Sequence, residues 1–225
     1  MNLFAEAGQF LTDPANWTGA TGIPQRMLEH VGYSLLTMVI ALVIAVPLGL
    51  WVGHSGRGGG VVVGLAGALR SLPTLGLLTL FTLLMGLGLM PPILALVLLA
   101  IPPILSGTYS GIAAVSPALV DAARAMGMTE SQTLFRVEVP VALPVILGGI
   151  RNAALQVLAT VTIVAYINLG GLGRYLIDGL AVRDYSRMLA SVVLVAVLAL
   201  AADAVLAFTQ RLVTSPGLRL TGDRP

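Results

Sequence analysis

The sequence predicts an all-α membrane protein with five transmembrane helices and one long polar loop between the third and the fourth. Hydrophobic residues make up 57% of the 225 positions, charged residues only 10%, and the mean hydropathy is +0.96. A chain with so little polar surface is not a soluble globular protein. No charged residue occurs from Ser71 to Val120, which is too long a stretch for one membrane crossing. The segment 113–144, which extends beyond this apolar stretch, contains five charged residues.

Composition also excludes several classes of function. Cysteine is absent, so the chain can form neither a disulfide nor a thiolate metal site. Its two histidines, His30 and His54, lie outside the predicted spans or at their edges, which argues against a membrane-embedded hydrolase. The net charge of +2 does not indicate a nucleic-acid partner. Lysine is absent, and with it the Gly-x-x-x-x-Gly-Lys pattern of nucleotide-binding loops. We therefore expect no catalytic residue, cofactor or metal in this chain.

Five apolar segments are long enough to cross the hydrocarbon core, which takes about 20 helical residues. They are residues 33–52, 61–84, 92–112, 145–167 and 188–212. Residues 1–30 precede them as an extracytoplasmic segment, and Met1 to Gly8 lacks the basic start of a cleaved signal peptide. Pro73 and the pair Pro102–Pro103 are expected to interrupt the second and third spans. Three glycines, Gly60, Gly64 and Gly67, have a spacing that lets a neighbouring helix approach closely.

The first half of the polar loop at 113–144 is predicted to be a short helix ended by a glycine. Ser116 supplies a capping hydroxyl, and Pro117 suits the first helical position, where its missing N–H is not needed. Gly127 stands where a helix usually ends in the left-handed conformation. The alternative is an ordinary surface loop with two helical turns.

The second half of the polar loop is predicted to be another short helix. Thr129, with Gln132 three residues later, makes a capping box that begins it. Pro140 and Pro144 are predicted to end it, because proline has no N–H to bond to the preceding turn.

Three ionisable residues fall inside the predicted spans: Arg70, Arg151 and Asp203. Charge within the bilayer is energetically expensive, so each needs a partner or a route to the surface. We expect Asp203 to pair with Arg151 or Arg70 in the cytoplasmic half of the bundle. A proton relay through Asp203 is the alternative, but no series of further acids or histidines leads away from it.

The arginine distribution favours an extracytoplasmic amino terminus and a cytoplasmic polar loop, because cytoplasmic loops are richer in basic residues. The arginines that would then lie inside are Arg57, Arg124, Arg136, Arg211, Arg219 and Arg224. Those outside would be Arg26, Arg174, Arg183 and Arg187. The excess inside is small.

The polar loop resembles the coupling loop of binding-protein-dependent ABC importer permeases (MetI-like permeases). That loop usually reads Glu-Ala-Ala, three residues, Gly and, about a dozen residues later, Pro. Here Asp121 replaces the glutamate, and Gly127 and Pro140 follow. Three further segments resemble permeases of osmoprotectant importers: Arg70-Ser-Leu-Pro73, Gly170-Gly-Leu-Gly173-Arg-Tyr and Arg211-Leu-Val-Thr-Ser-Pro216-Gly-Leu-Arg219.

The resemblance implies a multi-pass subunit of the bacterial cytoplasmic membrane, surrounded by lipid, that imports glycine betaine, choline, carnitine or related quaternary amines. Two such permeases, identical or related, would rest on two ATPase subunits, which would bind the ATP and Mg²⁺. The residues implied to contact the ATPase are Val120, Asp121, Ala122, Ala123, Arg124, Met126, Gly127, Met128 and Thr129. An extracytoplasmic binding protein would dock on the outer loop that includes Gly170, Gly171, Gly173 and Arg174.

Two other transport functions remain open. Permeases for amino acids, such as the methionine type, share the same layout. A secondary transporter or channel would need no ATPase, but the inverted repeat or row of intramembrane polar groups expected of one is not evident.

Overall fold

The computed structural model describes residues 2–213, and within this range all regular secondary structure is helical. Its ten α-helices are α1 (Leu3–Thr12), α2 (Ile23–Ser55), α3 (Gly59–Arg70), α4 (Thr74–Met85), α5 (Met90–Ala113), α6 (Pro117–Ala125), α7 (Glu130–Thr133), α8 (Val139–Thr160), α9 (Gly173–Val182) and α10 (Tyr185–Val213). Short 3₁₀ helices occupy Pro14–Trp17 and Val161–Ile167, and a π-helical turn occupies Leu134–Glu138. The motif residues from Thr214 to Arg219 lie outside the described range.

Four helices in the described range are long and apolar enough to cross a membrane. They are α2, α5, α10 and the continuous helix Glu130–Ile167, which contains α7 and α8. The pair α3 and α4 makes a fifth span only if it is counted as one broken span. The predicted span 61–84 is thus interrupted, because Pro73 has extended backbone and stands at the N-cap of α4.

Proline does not end the long helices. Pro47 lies inside α2, Pro102 and Pro103 inside α5, and Pro144 inside α8. The prediction that Pro140 and Pro144 end the second loop helix was therefore wrong. The π-helical turn gives the reason at Pro140: the N–H of Val139 bonds to the carbonyl of Leu134, five residues back. This wider turn precedes the proline ring and lets the helix continue.

The chain divides into two compact units. The first contains Met1–Ile40, Leu72–Ala100 and Ala154–Asp203, and the second contains Ala41–Ser71, Ile101–Ala153 and Ala204–Pro225. Their boundaries fall inside α2, α5, α8 and α10, so these four helices contribute to both units.

The first unit has a core cluster at the amino-terminal ends of α2, α9 and α10. Its buried members are Ile23, Leu172, Tyr175 and Leu194. The Tyr175 hydroxyl donates a hydrogen bond to the Thr21 carbonyl at 2.6 Å. Ser191 on α10 donates to the Leu172 carbonyl at 2.8 Å. The loop before α9 is therefore fixed by both packing and hydrogen bonds.

A second anchor in the first unit joins α2 to the end of α8. His30 is fully buried, and its Nε2 lies 2.9 Å from the carbonyl oxygen of Leu158. The helix changes from α to 3₁₀ at Val161, which frees carbonyl groups just before it from their usual partners. His30 supplies a donor for one of these carbonyls.

The second unit is held by close helix contacts at glycines of α2, α5 and α8. A Cβ added at Gly49 would lie 2.7 Å from the Cβ of Thr108. Gly107 and Gly149 face each other across α5 and α8, and a Cβ on Gly149 would lie 2.7 Å from the Pro103 carbonyl oxygen. Small residues at such crossings let helix backbones approach in a membrane.

The glycines selected from the sequence do not make such contacts within the described residues. A Cβ added at Gly60, Gly64 or Gly67 would meet no atom within 4 Å. The close-packing glycines lie on other helices, and their spacing in the sequence did not distinguish them.

Candidate coupling site

The glycine turn after α6 ends the helix as its sequence predicts. Gly127 has a φ of +81°, in the left-handed region that favours glycine. Its N–H bonds to the Arg124 carbonyl at 2.9 Å, and the N–H of Met128 bonds to the Ala123 carbonyl at 3.2 Å. This pair of bonds is a Schellman motif, which satisfies the last carbonyls of the helix. The start of α6 differs in one detail: Pro117 occupies the first turn, but the Ser116 side chain makes no capping hydrogen bond.

The capping box predicted for the second helix is present at α7. The Gln132 N–H donates to the Thr129 hydroxyl at 3.3 Å, and the Thr129 N–H donates to Oε1 of Gln132 at 2.9 Å. Only three residues, Met126, Gly127 and Met128, separate the end of α6 from this cap. The α6–Gly127–α7 segment is thus a hydrogen-bonded helix–turn–helix.

An ion pair joins α6 to α7 across the glycine turn. Arg124 donates from Nε and Nη2 to the two carboxylate oxygens of Glu130, at 3.1 and 2.9 Å. These hydrogen bonds raise the pKa of the Arg124 guanidinium, which stays charged. A two-pronged contact of this kind fixes orientation as well as distance.

Polar contacts also join this segment to the end of α2. His54 Nδ1 lies 2.6 Å from Oε2 of Glu138, and His54 Nε2 lies 3.2 Å from Oε2 of Glu130. The sequence analysis did not select any of these three residues. The available signal was two glutamates in the polar loop and a histidine in the turn after the first span.

The segment belongs to the second unit, and its buried residues pack within that unit. Ala123 on α6 is buried, and Val120 and Leu134 pack against a core cluster of α5 and α8. The buried members of that cluster are Ile112, Val115, Ala142 and Ile146.

Large apolar residues are exposed on α6, at its C-cap and in the π-helical turn that follows α7. Met126 is 76% exposed, Phe135 61% and Leu119 41%. Asp121 and Ala122 are exposed beside them on α6. The segment therefore presents a rigid, partly apolar surface, and its buried side chains fix it to α5 and α8.

The loop residues predicted to face a binding protein also shape the loop, and their contact with such a protein stays a prediction. Gly171 and Gly173 are buried, and Gly171 has a φ of +87°. The Gly171 N–H donates to the Glu29 carboxylate at 2.8 Å, and a Cβ on Gly170 would collide with that same carboxylate. Arg174 is half-buried and bonds to Asn168 and Asp178 at 2.6 and 2.8 Å. The exposed apolar surface here belongs to Leu180 and Val182 on α9.

The three predicted intramembrane charges lie in different settings. Arg70 is the last residue of α3 and is exposed beside the break before α4. Arg151 on α8 and Asp203 on α10 are half-buried, and each takes part in an interaction. The predicted pairing of Asp203 stays a prediction.

A family model described as "binding-protein-dependent transport system inner membrane component" matches residues 45–215. The chain belongs to this family. The match contains the α6–Gly127–α7 segment, α8 and α10. The protein is therefore a membrane-embedded permease component of a transport system, as the coupling-loop motif indicated.

Curated relatives with similar sequences are permeases of osmoprotectant systems. The glycine betaine/carnitine/choline permease OpuCB of Bacillus subtilis is 37% identical over 85% of this chain and 88% of its own length. The choline permease OpuBB of the same organism is 35% identical over 86% of this chain and 89% of its own. The osmoprotectant import permease OsmW of Salmonella typhimurium is 34% identical over 85% and 91%.

Solved structures confirm the predicted fold class. An inward-facing structure of the MetNI methionine ABC transporter matches with a TM-score of 0.76 and 22% identity, covering 91% of this chain and all of that one. A chain of an amino acid ABC transporter solved with histidines matches with a TM-score of 0.69 and 21% identity, covering 84% and 92%. At such low identity the likeness concerns the fold.

Proposed function

We propose that this chain is the permease subunit of an ATP-driven importer of compatible solutes such as glycine betaine, choline and carnitine. The observation that carries the proposal is the set of relatives named above, which are at least 34% identical over at least 85% of this chain. By name, the first is a permease for glycine betaine, carnitine and choline, the second for choline, and the third for osmoprotectant import. The methionine transporter and the amino acid transporter solved with histidines match at only 21 to 22% identity, so the quaternary-amine class is favoured over an amino acid.

The proposed partners follow from the division of labour in such an importer. Two ATPase subunits bind ATP and Mg²⁺ and hydrolyse the ATP. A second permease, identical or related, completes the pathway across the bacterial cytoplasmic membrane. An extracytoplasmic binding protein delivers the solute to the outer loop around Gly170, Gly171, Gly173 and Arg174, with α9 as the exposed surface.

In the proposed mechanism, α6 transmits the motion of an ATPase to the membrane helices. The exposed side chains of Leu119, Met126 and Phe135 suit an apolar groove on the ATPase. The turn at Gly127 and the Arg124–Glu130 pair keep α6 and α7 in one orientation. A push on α6 therefore moves α6, α7 and the ends of α5 and α8 together as a rigid body. The helix bundle then alternates between an inward-open and an outward-open state. Asp203 paired with Arg151 or Arg70 would hold helices of the bundle together during this movement.

Replacement of Gly127 tests this mechanism. Gly127→Asp places a charged side chain at a left-handed position in the surface that meets the ATPase. In proteoliposomes containing the complete importer, we expect the variant to insert normally but to lose uptake while ATP hydrolysis continues. Gly8→Asp in α1 is the matched control, because Gly8 also has open space around it. Normal uptake by Gly127→Asp would contradict the coupling role.

Competition for uptake tests the solute class separately. We expect unlabelled choline, carnitine and glycine betaine to inhibit uptake of the labelled solute, and methionine to leave it unchanged. Inhibition by methionine alone would instead assign the chain to an amino-acid importer.

A further inference from the structure

His54, at the end of α2, contacts the coupling segment (α6, Gly127 and α7) and the π-helical turn that follows it. Its two ring nitrogens contact two different carboxylates, Nδ1 that of Glu138 at 2.6 Å and Nε2 that of Glu130 at 3.2 Å. The Glu130 carboxylate also accepts the two hydrogen bonds of Arg124 on α6. A continuous polar connection thus runs from α2 to α6.

The connection requires one more proton than neutral histidine and two ionised glutamates supply. An ionised carboxylate can only accept hydrogen bonds, and neutral imidazole has a single N–H to donate. The Nδ1 contact is a hydrogen bond, and the 3.2 Å Nε2 contact is attractive at the same time only if the imidazole is doubly protonated or if one of the carboxylates carries a proton. Both contacts are therefore favourable together only with one proton more within the group of His54, Glu130 and Glu138.

Burial supports the same conclusion. The Glu138 side chain is only 6% exposed, compared with 63% for Glu130. An ionised carboxylate at such a site needs a charged or donating partner, which the protonated imidazole provides. The two glutamates contact opposite nitrogens of the ring, and no metal-binding cluster occurs among residues 2–213.

We propose that His54 is a positioning residue for coupling, whose proton-holding bridge between Glu138 and Glu130 fixes α6 to the end of α2. The inference rests on the proposed function, because it concerns how the coupling helix is held. While the proton is present, a push on α6 is passed to α2 as well as to α8. When the proton leaves, one contact of His54 becomes a repulsion between a lone pair and a carboxylate, and this route is lost.

The sign of the pH dependence follows from the bound proton. Raising the pH removes it, so the bridge weakens on the alkaline side. Besides Glu130 and Glu138, the charges near the bridge are Arg124, which pairs with Glu130, Asp121 on α6, which acts on Arg124, and Arg57 in the turn after α2. Of the groups in contact with the bridge, Arg124 does not titrate in the working range.

The test compares variants that break the bridge with variants that keep it but no longer need the proton. His54→Ala breaks it. In Glu138→Gln, the amide donates to Nδ1 and leaves Nε2–H for Glu130, so neutral histidine completes both bonds. Glu130→Gln makes the converse change at Nε2 but costs Arg124 one of its two acceptor oxygens, so only the shape of its pH profile is compared; it serves as a second variant if the buried substitution is poorly folded. Glu6→Gln on α1 is the control for the same chemical change.

The measured quantity is solute imported per ATP hydrolysed, in proteoliposomes of the complete importer from about pH 5 to about pH 8, the range in which imidazole side chains in general change charge. We expect a several-fold lower ratio for His54→Ala at low pH. The wild-type ratio should decline on the alkaline side, and Glu138→Gln or Glu130→Gln should remove that decline. An unchanged ratio in His54→Ala, or parallel alkaline declines in wild type and both glutamine variants, would overturn the inference. If Gly127→Asp abolishes import while His54→Ala behaves as wild type, only the role of the His54 bridge is contradicted. If Gly127→Asp imports normally, the coupling role of the α6–Gly127–α7 segment is contradicted as well.

Discussion

Gly127 shows how a residue without a side chain can shape the coupling segment. Its φ of +81° is costly for any L-residue with a Cβ, yet a Cβ there would meet no atom within 4 Å. Any effect of a small substitution therefore comes from the backbone conformation and not from a clash.

Because a Cβ at Gly127 would meet no neighbour, the effect of Gly127→Ala can be predicted from the backbone conformation alone. We expect the substitution to destabilise the turn by about 1 kcal/mol. Hydrogen exchange at the Met128 amide, which bonds to the Ala123 carbonyl, should become faster by a corresponding factor. Gly8→Ala in α1 serves as the control, since Gly8 is helical and alanine favours helix. Unchanged protection of Met128 would contradict the Schellman assignment.

A second residue-level prediction concerns Tyr175 in the first unit. Removing its hydroxyl in Tyr175→Phe leaves the Thr21 carbonyl without its 2.6 Å donor, and we expect a loss of about 1 kcal/mol in thermal unfolding. Tyr185→Phe, at a 55% exposed tyrosine, should have almost no effect. Equal effects of the two substitutions would contradict the role given to this hydrogen bond.

The same tyrosine has a defined pH dependence. Burial raises the pKa of Tyr175, so its folded-state pKa lies above that of the unfolded chain. Its contribution to stability is therefore complete below the ordinary tyrosine value of about 10 and declines as the pH rises beyond it. Wild-type unfolding temperatures should fall more steeply in that range than those of Tyr175→Phe.

Helix length and helix packing differ in how far the sequence predicts them. The need for about 20 apolar residues per crossing is a direct physical requirement, so the membrane class and fold class could be predicted. Which helices are neighbours depends on tertiary structure, and the glycines chosen from the sequence, such as Gly64, make no close contact among the described residues. Likewise, the π-helical turn that carries the chain past Pro140 has no clear signal in a single sequence.

Two adjacent glycines on α8 test the packing of the second unit. A Cβ on Gly149 would lie 2.7 Å from the Pro103 carbonyl oxygen, whereas a Cβ on Gly148 would meet no atom within 4 Å. We expect Gly149→Ala to destabilise the protein by about 1 to 3 kcal/mol through overpacking. Gly148→Ala should be neutral or stabilising by up to about 1 kcal/mol. Thermal unfolding in detergent measures both, and equal values would contradict the close contact of α5 and α8.

For the complete chain, the candidate site was predictable in part. The α6–Gly127–α7 segment and its capping box follow from local chemistry, since each residue acts on its near neighbours in sequence. The bridge of His54 to Glu138 joins residues 84 positions apart, so local pattern could not reveal it. The same limit applies to the Glu29 carboxylate that fixes Gly171, 142 positions away.

The side of the membrane that the coupling segment faces tests the account most directly. The chain contains no cysteine, so a single introduced thiol gives an unambiguous label. Met126→Cys on the coupling segment and Val182→Cys on α9 change residues that are 76% and 71% exposed. In vesicles prepared without the proposed ATPase, which would cover Met126, a membrane-impermeant maleimide should label the Met126→Cys variant only in inside-out vesicles and the Val182→Cys variant only in right-side-out vesicles. Labelling of the Met126→Cys variant in right-side-out vesicles would contradict the coupling role of this segment.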